Sequence, residues 1–261
     1  MRPKKSLGQN FLRDPKILQK IADAAQISKE DLVVEIGPGE GGLTECILKL
    51  ADKVIAIEKD ELLVEFLNQK FQDQVESDKL KIVSADVLDF DTEKNLETSY
   101  KLVGNIPYYI TGSIFKKFLS AQNKPKSLTF IVQKEVAERI IAEDKKESVL
   151  SISVKAYGTP VYGGTIKAGS FYPAPKVDSA IISIRDVNTG YFDKYSVSED
   201  AFFEILKQGF AHKRKYLTSN LKEIFDAEKI KTAFQSANLD EKIRSEDLQV
   251  EDWFKLARSL V

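Results

Sequence analysis

The residues best suited to chemistry are four consecutive ones, Asn105, Ile106, Pro107 and Tyr108. The amide oxygen of Asn105 and the backbone carbonyl of Ile106 are hydrogen-bond acceptors, and Pro107 holds Ile106 in an extended conformation, which fixes that carbonyl. Two such acceptors suit an exocyclic amine on a nucleobase, whose lone pair is delocalised into the ring. Accepting its hydrogens favours a pyramidal, more nucleophilic nitrogen, while the Tyr108 ring offers a face on which the base can stack.

The same four residues could form a plain strand-to-helix turn, because Asn and Pro are common in turns. That interpretation does not account for an aromatic side chain at the position of Tyr108. The chemical interpretation needs no general base with a shifted pKa, which fits a chain whose single histidine is His212. It requires the base to leave its helix or loop, so it implies base flipping or an unpaired target.

A second candidate site is the glycine-rich stretch 37–42, in which Gly37, Gly39 and Gly42 satisfy the dinucleotide pattern G-x-G-x-x-G. Glycines there allow a tight turn and the close approach of a ligand. The pattern alone is compatible with either NAD or S-adenosylmethionine.

Three acidic residues near predicted strand ends favour S-adenosylmethionine over NAD. Glu35 lies two residues before the first glycine, and a carboxylate there suits an ammonium and a sulfonium better than a pyrophosphate. Glu58 ends the next strand, where it can accept both ribose hydroxyls of either cofactor. Asp86 follows the third strand and can accept from the adenine amino group, although an Asp there could equally be a helix N-cap.

Apolar runs and helical patterns alternate over the first two thirds of the chain, with predicted strands at 32–36, 54–57, 80–83, 101–103, 128–132 and 180–184. This alternation predicts an α/β fold with a doubly wound, mostly parallel sheet. Gly163-Gly164 predicts a hairpin. From Ser198 the pattern is helical only, so we expect an α/β domain over residues 1–190 and a small, all-helical C-terminal domain over residues 191–261.

Composition excludes several classes of site and protein. One His and one Cys among 261 residues exclude a disulfide framework and a His–Cys metal cluster, so we expect no metal. No apolar run approaches the ~18 residues that span a membrane, and the N-terminus lacks the apolar stretch of a secretory signal. We therefore expect a cytoplasmic protein without a membrane partner. We also expect it to be a monomer.

The net charge of −1 hides an uneven distribution, because residues 1–20 carry +5 and residues 21–100 carry −11. Phosphate contacts need a local basic face rather than a basic total. We expect the basic segments to converge around the mouth of the Asn105 site. The predicted RNA contacts are Arg2, Lys4, Lys5, Lys116, Lys117, Lys176, Lys213, Arg214 and Lys215.

In their order, these motifs resemble the ribosomal RNA adenine N6,N6-dimethyltransferases, in particular the KsgA (RsmA) group that acts on small-subunit rRNA. The resemblance covers nearly the whole chain. Residues 6–12 resemble the family's opening motif, residues 171–180 are the most specific match, and residues 213–217 resemble the basic helix that opens its small domain. Departures at Ile110-Thr111-Gly112 and Glu147-Ser148 leave the cofactor and catalytic positions unchanged.

The resemblance implies a Rossmann-like class I methyltransferase with a seven-stranded sheet. It also implies a role for Phe171, which would stack on the target adenine opposite Tyr108. The predicted catalytic residues are Asn105, Ile106, Pro107, Tyr108 and Phe171. The predicted contacts of S-adenosyl-L-methionine are Gln9, Asn10, Leu12, Glu35, Gly37, Gly39, Gly41, Glu58, Lys59, Asp86, Val87 and Asn105.

The implied reaction is S-adenosylmethionine-dependent dimethylation of the N6 amines of two adjacent adenosines in a hairpin loop near the 3′ end of small-subunit (16S) rRNA. The substrate would be a pre-ribosomal small subunit, and the reaction would be linked to its maturation. Large-subunit (23S) rRNA methyltransferases that confer macrolide resistance share the Asn-Ile-Pro-Tyr motif, but residues 176–180 and 213–215 favour the small subunit. An NAD-dependent oxidoreductase and a non-catalytic RNA-binding assembly factor remain alternatives, and the intact Asn105 and Glu58 argue against the latter.

Overall fold

The computed structural model describes residues 3–4, 7–96 and 98–261. Two of the predicted RNA contacts, Arg2 and Lys5, lie outside the described residues. The strands are β1 (Phe11–Leu12), β2 (Leu32–Ile36), β3 (Lys53–Glu58), β4 (Leu80–Ser84), β5 (Tyr100–Asn105), β6 (Ser127–Gln133), β7 (Thr159–Ile166), β8 (Phe171–Tyr172) and β9 (Ser179–Arg185). The helices are α1 (Pro15–Ala24), α2 (Gly42–Leu50), α3 (Glu61–Lys70), α4 (Gln72–Glu76), α5 (Thr92–Asn95), α6 (Thr111–Leu119), α7 (Lys134–Ile141), α8 (Val149–Lys155), α9 (Gly190–Tyr195), α10 (Glu199–Gly209), α11 (Leu217–Leu221), α12 (Ala227–Ser236) and α13 (Val250–Leu260).

A seven-stranded sheet, in the order β4-β3-β2-β5-β6-β9-β7, forms the centre of the first part of the chain. The pairs from β4 to β6 are parallel, while β9 runs antiparallel to both β6 and β7. The central strands are near-continuous apolar runs, as in β6, where residues 128–132 are all buried. Such runs are typical of a parallel sheet covered on both faces, and the predicted fold class is confirmed.

The strand order places a topological switch point between β2 and β5. The chain builds outward from β2 through β3 to β4 and then returns to β5 on the opposite side of β2. Gly104 allows the two strands to pack here, because a Cβ at this position would lie 2.6 Å from the Ile36 carbonyl oxygen. Ligands of open α/β sheets bind at such a crevice, outside the carboxyl ends of the strands.

The hairpin predicted at Gly163-Gly164 is wrong, because both glycines lie within β7. They belong to an irregularity in the pairing of β7 with β9, where the register shifts between Tyr162 and Gly164. A Cβ on Gly163 would lie 2.7 Å from the Ile181 side chain, and Gly164 has a φ of +108°. The glycines therefore serve close strand packing and a bulge rather than a chain reversal.

Two short strands, β1 and β8, form a separate antiparallel pair that the sequence did not predict. Phe11 pairs with Tyr172 and Leu12 with Phe171. This pairing ties the N-terminal segment to the segment that precedes β9. Two-residue strands more than 150 residues apart leave no local periodicity from which they could be predicted.

The chain divides into two units. The first extends up to Ala137 and resumes over Thr159–Val187, and the second comprises Glu138–Gly158 and Asn188–Val261. The predicted division at 190/191 lies near the point where the chain passes from the first unit to the second, after Val187. The helical unit also includes residues 138–158. Tyr157 explains this, because its ring lies 5.1 Å from that of Phe192 and its hydroxyl donates to Glu199.

The helical unit has an aromatic core of its own. The rings of Phe202 and Phe254 stack with their centroids 4.1 Å apart, and Trp253 is fully buried. A Cβ on Gly209 would lie 2.4 Å from the Trp253 ring, so α10 approaches α13 closely at that glycine. Within the described residues, no helix has the length and apolar character needed to cross a membrane.

Candidate active site

A cavity of about 220 Å³ opens at the carboxyl ends of the strands beside the switch point. The predicted site residues that line it are Gln9, Asn10, Gly37, Gly39, Glu58, Lys59, Asp86, Val87, Asn105, Ile106, Pro107 and Tyr108. Four others, Leu12, Glu35, Gly41 and Phe171, lie outside this lining. The cavity thus brings the glycine-rich stretch and the Asn105 motif into one site.

Asn105 is the last residue of β5 and is held from the N-terminal segment. Its side-chain Nδ2 donates a hydrogen bond of 2.8 Å to the backbone carbonyl of Asn10. This bond fixes the orientation of the amide group, whose oxygen is its only hydrogen-bond acceptor for a ligand. The Asn10 side chain donates to the Gly8 carbonyl at 3.1 Å, which braces the same segment.

The residues after Asn105 form a tight turn into α6. Pro107 has φ −58° and ψ 130°, and a single 3-10 turn follows over Tyr108–Ile110. The Thr111 hydroxyl donates to the Tyr108 carbonyl at 3.0 Å, and the amide of Ile110 donates to the Pro107 carbonyl. The Tyr108 hydroxyl forms a 2.6 Å hydrogen bond with Ser179, and burial raises the pKa of this tyrosine, so the phenol stays neutral. Tyr109, which also lines the cavity, is 69% exposed.

The glycine-rich stretch leaves β2 in left-handed conformations that favour glycine. Gly37 has a φ of +63° and Gly39 a φ of +59°. A Cβ on Gly39 would lie 3.1 Å from the Phe11 ring, so a larger residue would displace the N-terminal segment or the loop. Gly41 lies outside the lining of this cavity and is the left-handed N-cap of α2, where a Cβ would lie 2.5 Å from Phe71. Its predicted contact with the cofactor remains a prediction.

Glu58 ends β3 as a buried carboxylate that is 6% exposed. One oxygen accepts the backbone N–H of Gly39 at 3.3 Å, and the other accepts that of Asp60 at 2.9 Å. Burial raises the pKa of Glu58 above its ordinary value, while these backbone hydrogen bonds oppose the shift. A carboxylate has about four lone-pair sites, so Glu58 keeps acceptor capacity for a hydroxyl group of a ligand.

Asp86 has two partners at the edge of the cavity. Its Oδ1 accepts from the amide of Leu88 at 2.9 Å, and its Oδ2 pairs with the Lys59 ammonium at 2.7 Å. The hydrogen bond from Lys59 lowers the pKa of Asp86, which keeps the carboxylate ionised. Asp86 thus caps a turn that follows β4, not the helix of the alternative interpretation, and it lines the cavity as a hydrogen-bond acceptor.

Sequence reasoning missed how the N-terminal segment is fastened over the cavity. Asp60, which is 4% exposed, accepts from the Lys4 ammonium at 2.6 Å and from the Gln9 amide at 3.1 Å. Burial alone would raise the pKa of Asp60, but the hydrogen bonds from Lys4 and Gln9 outweigh it and lower the pKa. Asp60 is also the N-cap of α3. An Asp directly before an apolar helix is a capping signal, so the sequence could have identified the cap, but not the residues that it holds.

Glu35 lies apart from the main cavity, against a neighbouring void of about 40 Å³ that Asn105 also lines. Its side chain is 1% exposed and accepts the Thr44 hydroxyl at 2.6 Å. Burial raises the pKa of Glu35 to about 8. At neutral pH the carboxyl is therefore mostly protonated, and it anchors the first turn of α2. The predicted contact of Glu35 with a cofactor ammonium remains a prediction.

The raised pKa makes stability depend on pH. Unfolded, Glu35 releases its proton near pH 4.5, whereas the folded protein retains it up to about pH 8. The folded state therefore binds more protons in this window, and Glu35 makes stability fall as the pH rises through it. We expect Glu35→Gln to remove that fall. Between pH 5 and pH 8.5 the free energy of unfolding of the variant should rise relative to that of the wild type by on the order of 4 kcal/mol, since one pKa unit corresponds to about 1.4 kcal/mol. Urea unfolding at the two pH values measures this, and parallel pH profiles for both proteins would contradict it.

Phe171, the predicted partner of Tyr108 in stacking, lies in the apolar core. It is 5% exposed and belongs to the same buried cluster as Leu12 and Ile181. The adjacent Tyr172 is 56% exposed, and the guanidinium of Arg13 lies 5.2 Å from the centre of its ring. Stacking of a base on Phe171 remains a prediction, and it would require the ring to become accessible.

In the helical unit, Lys213, Arg214 and Lys215 are all exposed. They form a turn between α10 and α11, not the helix that the family resemblance implied. Buried Asn220 supports this cationic turn (residues 212–216), because its amide donates to the carbonyls of Gly209 and His212. In the first unit, Lys116 and Lys176 are exposed as well, whereas Lys4 is already paired with Asp60. In the part of the chain that the structure describes, no group of three or more His, Cys, Asp or Glu residues could hold a metal ion.

Comparison with known proteins gives consistent matches over the whole chain. A family model described as ribosomal RNA adenine dimethylase matches residues 1–261. The ribosomal RNA small subunit methyltransferase A of Dehalococcoides mccartyi (strain CBDB1) is 39% identical over 260 residues, covering 98% of this chain and 88% of that protein. The protein of the same name from Mycoplasmopsis pulmonis (strain UAB CTIP) is 38% identical, with 98% of both chains covered.

Solved structures are similar over both units. A dimethyladenosine transferase from Plasmodium falciparum matches with a TM-score of 0.77 and 27% identity, covering 94% of this chain and 95% of that one. The 23S rRNA methyltransferase ErmE matches with a TM-score of 0.76 and 25% identity, covering 96% and 99%.

Proposed function

The chain belongs to the ribosomal RNA adenine dimethylase family, and on this premise we propose that it dimethylates the N6 amines of two adjacent adenosines in a hairpin loop near the 3′ end of small-subunit rRNA. The protein is an S-adenosylmethionine-dependent rRNA adenine dimethyltransferase, as its motifs predicted. Family membership also decides against the NAD-dependent oxidoreductase.

The observation that carries the proposal is the meeting of two groups of residues in one cavity. The buried carboxylate of Glu58 and the left-handed Gly37 and Gly39 suit a nucleoside cofactor with a ribose diol. Asn105 and Ile106 supply neighbouring acceptors for an amine. The residues present therefore fit S-adenosylmethionine on one side and an adenine amine on the other.

S-adenosylmethionine, when bound, supplies an electrophilic methyl group. The work of the chain is then mainly positioning. The Asn105 amide oxygen and the Ile106 carbonyl accept from the adenine amine and orient its lone pair, and Tyr108 provides the stacking surface. The proton that leaves the amine needs no histidine, because methylation makes the nitrogen strongly acidic. A monomethylated amine still has one hydrogen to donate, so the same acceptors can hold it for a second transfer.

The relatives support the small subunit as the source of the RNA. Two proteins named small subunit methyltransferase A are 39% and 38% identical to this chain, whereas the 23S rRNA methyltransferase is 25% identical. We further propose that the substrate is the rRNA within a pre-ribosomal small subunit, that methylation is linked to its maturation, and that the protein acts in the cytoplasm as a monomer without a metal.

The test is to map N6,N6-dimethyladenosine in rRNA from cells that have and lack this protein. We expect loss of dimethylation at two adjacent hairpin-loop adenosines of the small-subunit rRNA, with restoration by the wild-type gene. Unchanged small-subunit modification would remove the proposal, and a change in large-subunit rRNA together with macrolide susceptibility would support the alternative. If the purified protein methylated the pre-ribosomal particle but not naked rRNA, that result would support the particle as substrate.

The cationic turn gives a prediction about RNA affinity. Replacing Lys213, Arg214 and Lys215 with alanine removes up to three phosphate contacts. We expect binding to small-subunit rRNA to weaken at low salt and the slope of log K against log[salt] to become shallower by about two to three units. Filter binding at several salt concentrations measures both. The matched control is alanine at Lys229, Lys231 and Lys242, which are exposed cations of the same unit, and an equal loss in that control would contradict a specific role for the turn.

A further inference from the structure

The Tyr108 hydroxyl and Ser179 Oγ form a 2.6 Å hydrogen bond. Tyr108 lines the cavity at the Asn105 motif, and Ser179 is fully buried. The two residues are 71 positions apart in the chain, so the bond joins the catalytic turn to a distant strand. Ser179 is neither one of the predicted catalytic residues nor a predicted contact of the cofactor.

The sheet fixes the position of the Ser179 hydroxyl. Ser179 is the first residue of β9, where its backbone is opposite Gln133 of β6 on one side and Ile166 of β7 on the other. Because β9 runs antiparallel to β6, its beginning lies at the edge where the parallel strands end. Asn105 at the end of β5 lies opposite Ile131 of β6, which in turn lies opposite Ile181 of β9. Ser179 is two residues from Ile181 towards that edge.

We propose that Ser179 is a positioning residue for methyl transfer. Its hydroxyl holds the Tyr108 ring in the orientation in which the target adenine can stack on the ring. The inference rests on the proposed function for its substrate. The 3-10 turn fixes only the backbone of Tyr108, and the hydroxyl contact adds a second point of attachment at the far end of the ring. A ring held at both ends does not have to be ordered when the base arrives, which lowers the cost of binding.

The chain offers a matched control on the same strand. Ser183 is 2% exposed, and its hydroxyl bonds to that of Thr129 at 3.0 Å. Ser183→Ala therefore deletes the same atom from the same buried strand without touching the catalytic turn. A general loss of packing or hydrogen bonding in β9 would affect both serine variants alike.

The kinetic test measures kcat/KM on small-subunit rRNA for Ser179→Ala, Tyr108→Phe, the double variant and Ser183→Ala. We expect each of the first two to lose about 5- to 20-fold, the double variant to be no worse than the poorer single variant, and Ser183→Ala to stay within twofold. The dissociation constant for S-adenosylmethionine should stay within twofold in all four. Additive losses in the double variant, or equal losses in Ser179→Ala and Ser183→Ala, would overturn the proposal.

A second measurement needs neither RNA nor turnover. With 3-fluorotyrosine incorporated at position 108, the ¹⁹F resonance should shift and broaden in Ser179→Ala and remain unchanged in Ser183→Ala. An unchanged resonance in Ser179→Ala would show that the serine does not hold the ring. If the wild type failed to methylate small-subunit rRNA, the proposed substrate would be wrong. The comparison of resonances would still decide whether Ser179 orients Tyr108.

Discussion

Asn105→Ala is expected to lower kcat for adenine N6 methylation by about 10³-fold, the upper range found when one polar group that stabilises a transition state is removed. The amide oxygen of Asn105 accepts from the amine as the nitrogen becomes nucleophilic, so the loss falls on the chemical step. The amide nitrogen also donates to the Asn10 carbonyl at 2.8 Å. Losing that bond loosens the N-terminal segment. We therefore expect the dissociation constant for S-adenosylmethionine to rise by less than about fivefold, which is the effect of losing one ordinary hydrogen bond.

Single-turnover kinetics with saturating cofactor, together with calorimetric titration of S-adenosylmethionine, separate the two effects. Asn68→Ala is the matched control, because Asn68 is an exposed residue of α3 whose amide donates to the Val64 carbonyl within the same helix. It should leave both constants unchanged. Undiminished turnover in Asn105→Ala would remove the catalytic assignment, and a large rise in the cofactor constant with intact turnover would make Asn105 a cofactor ligand only.

Glu58→Gln is expected to weaken S-adenosylmethionine binding by about 10- to 100-fold, because hydrogen bonds to a charged group contribute about 1.5–3 kcal/mol. The glutamine keeps the shape of the side chain but loses the charge and one acceptor oxygen. The amides of Gly39 and Asp60 already use both oxygens of Glu58. The NH2 group of a glutamine would therefore face one of these N–H donors, and the loop would no longer be held against β3.

Glu35→Gln is the control for this prediction, because Glu35 is also a buried glutamate at a strand end beside the glycine-rich loop. Its pKa of about 8 means that it is already mostly neutral at pH 7. We expect the substitution to change the cofactor constant by less than about threefold at that pH. If Glu35→Gln weakened binding as much as Glu58→Gln, an ionised Glu35 would contact the cofactor, as the sequence-based interpretation holds.

Most strands could be predicted from the sequence, because a buried parallel strand is a local apolar run. The predicted strand at 32–36 coincides with β2, and the prediction at 128–132 lies within β6. The pairing of β1 with β8 and the bulge in β7 could not be predicted, since both depend on what a distant strand places opposite them. The assignment of residues 138–158 to the helical unit likewise depends on the contacts of Tyr157 with residues far along the chain.

By itself, the sequence determined the order of the motifs and the types of residue at the strand ends. These suffice for the family and the reaction, because the carboxyl ends of neighbouring parallel strands must meet at one edge of a sheet. Only the tertiary structure decided what each of these residues does. Burial separates protonated Glu35 from the cavity-lining Glu58 although both are glutamates at strand ends, and strand register brings the Ser179 hydroxyl to Tyr108. Protonation and hydrogen bonding depend on solvent exposure and on neighbours that are distant in the chain, and folding alone creates both.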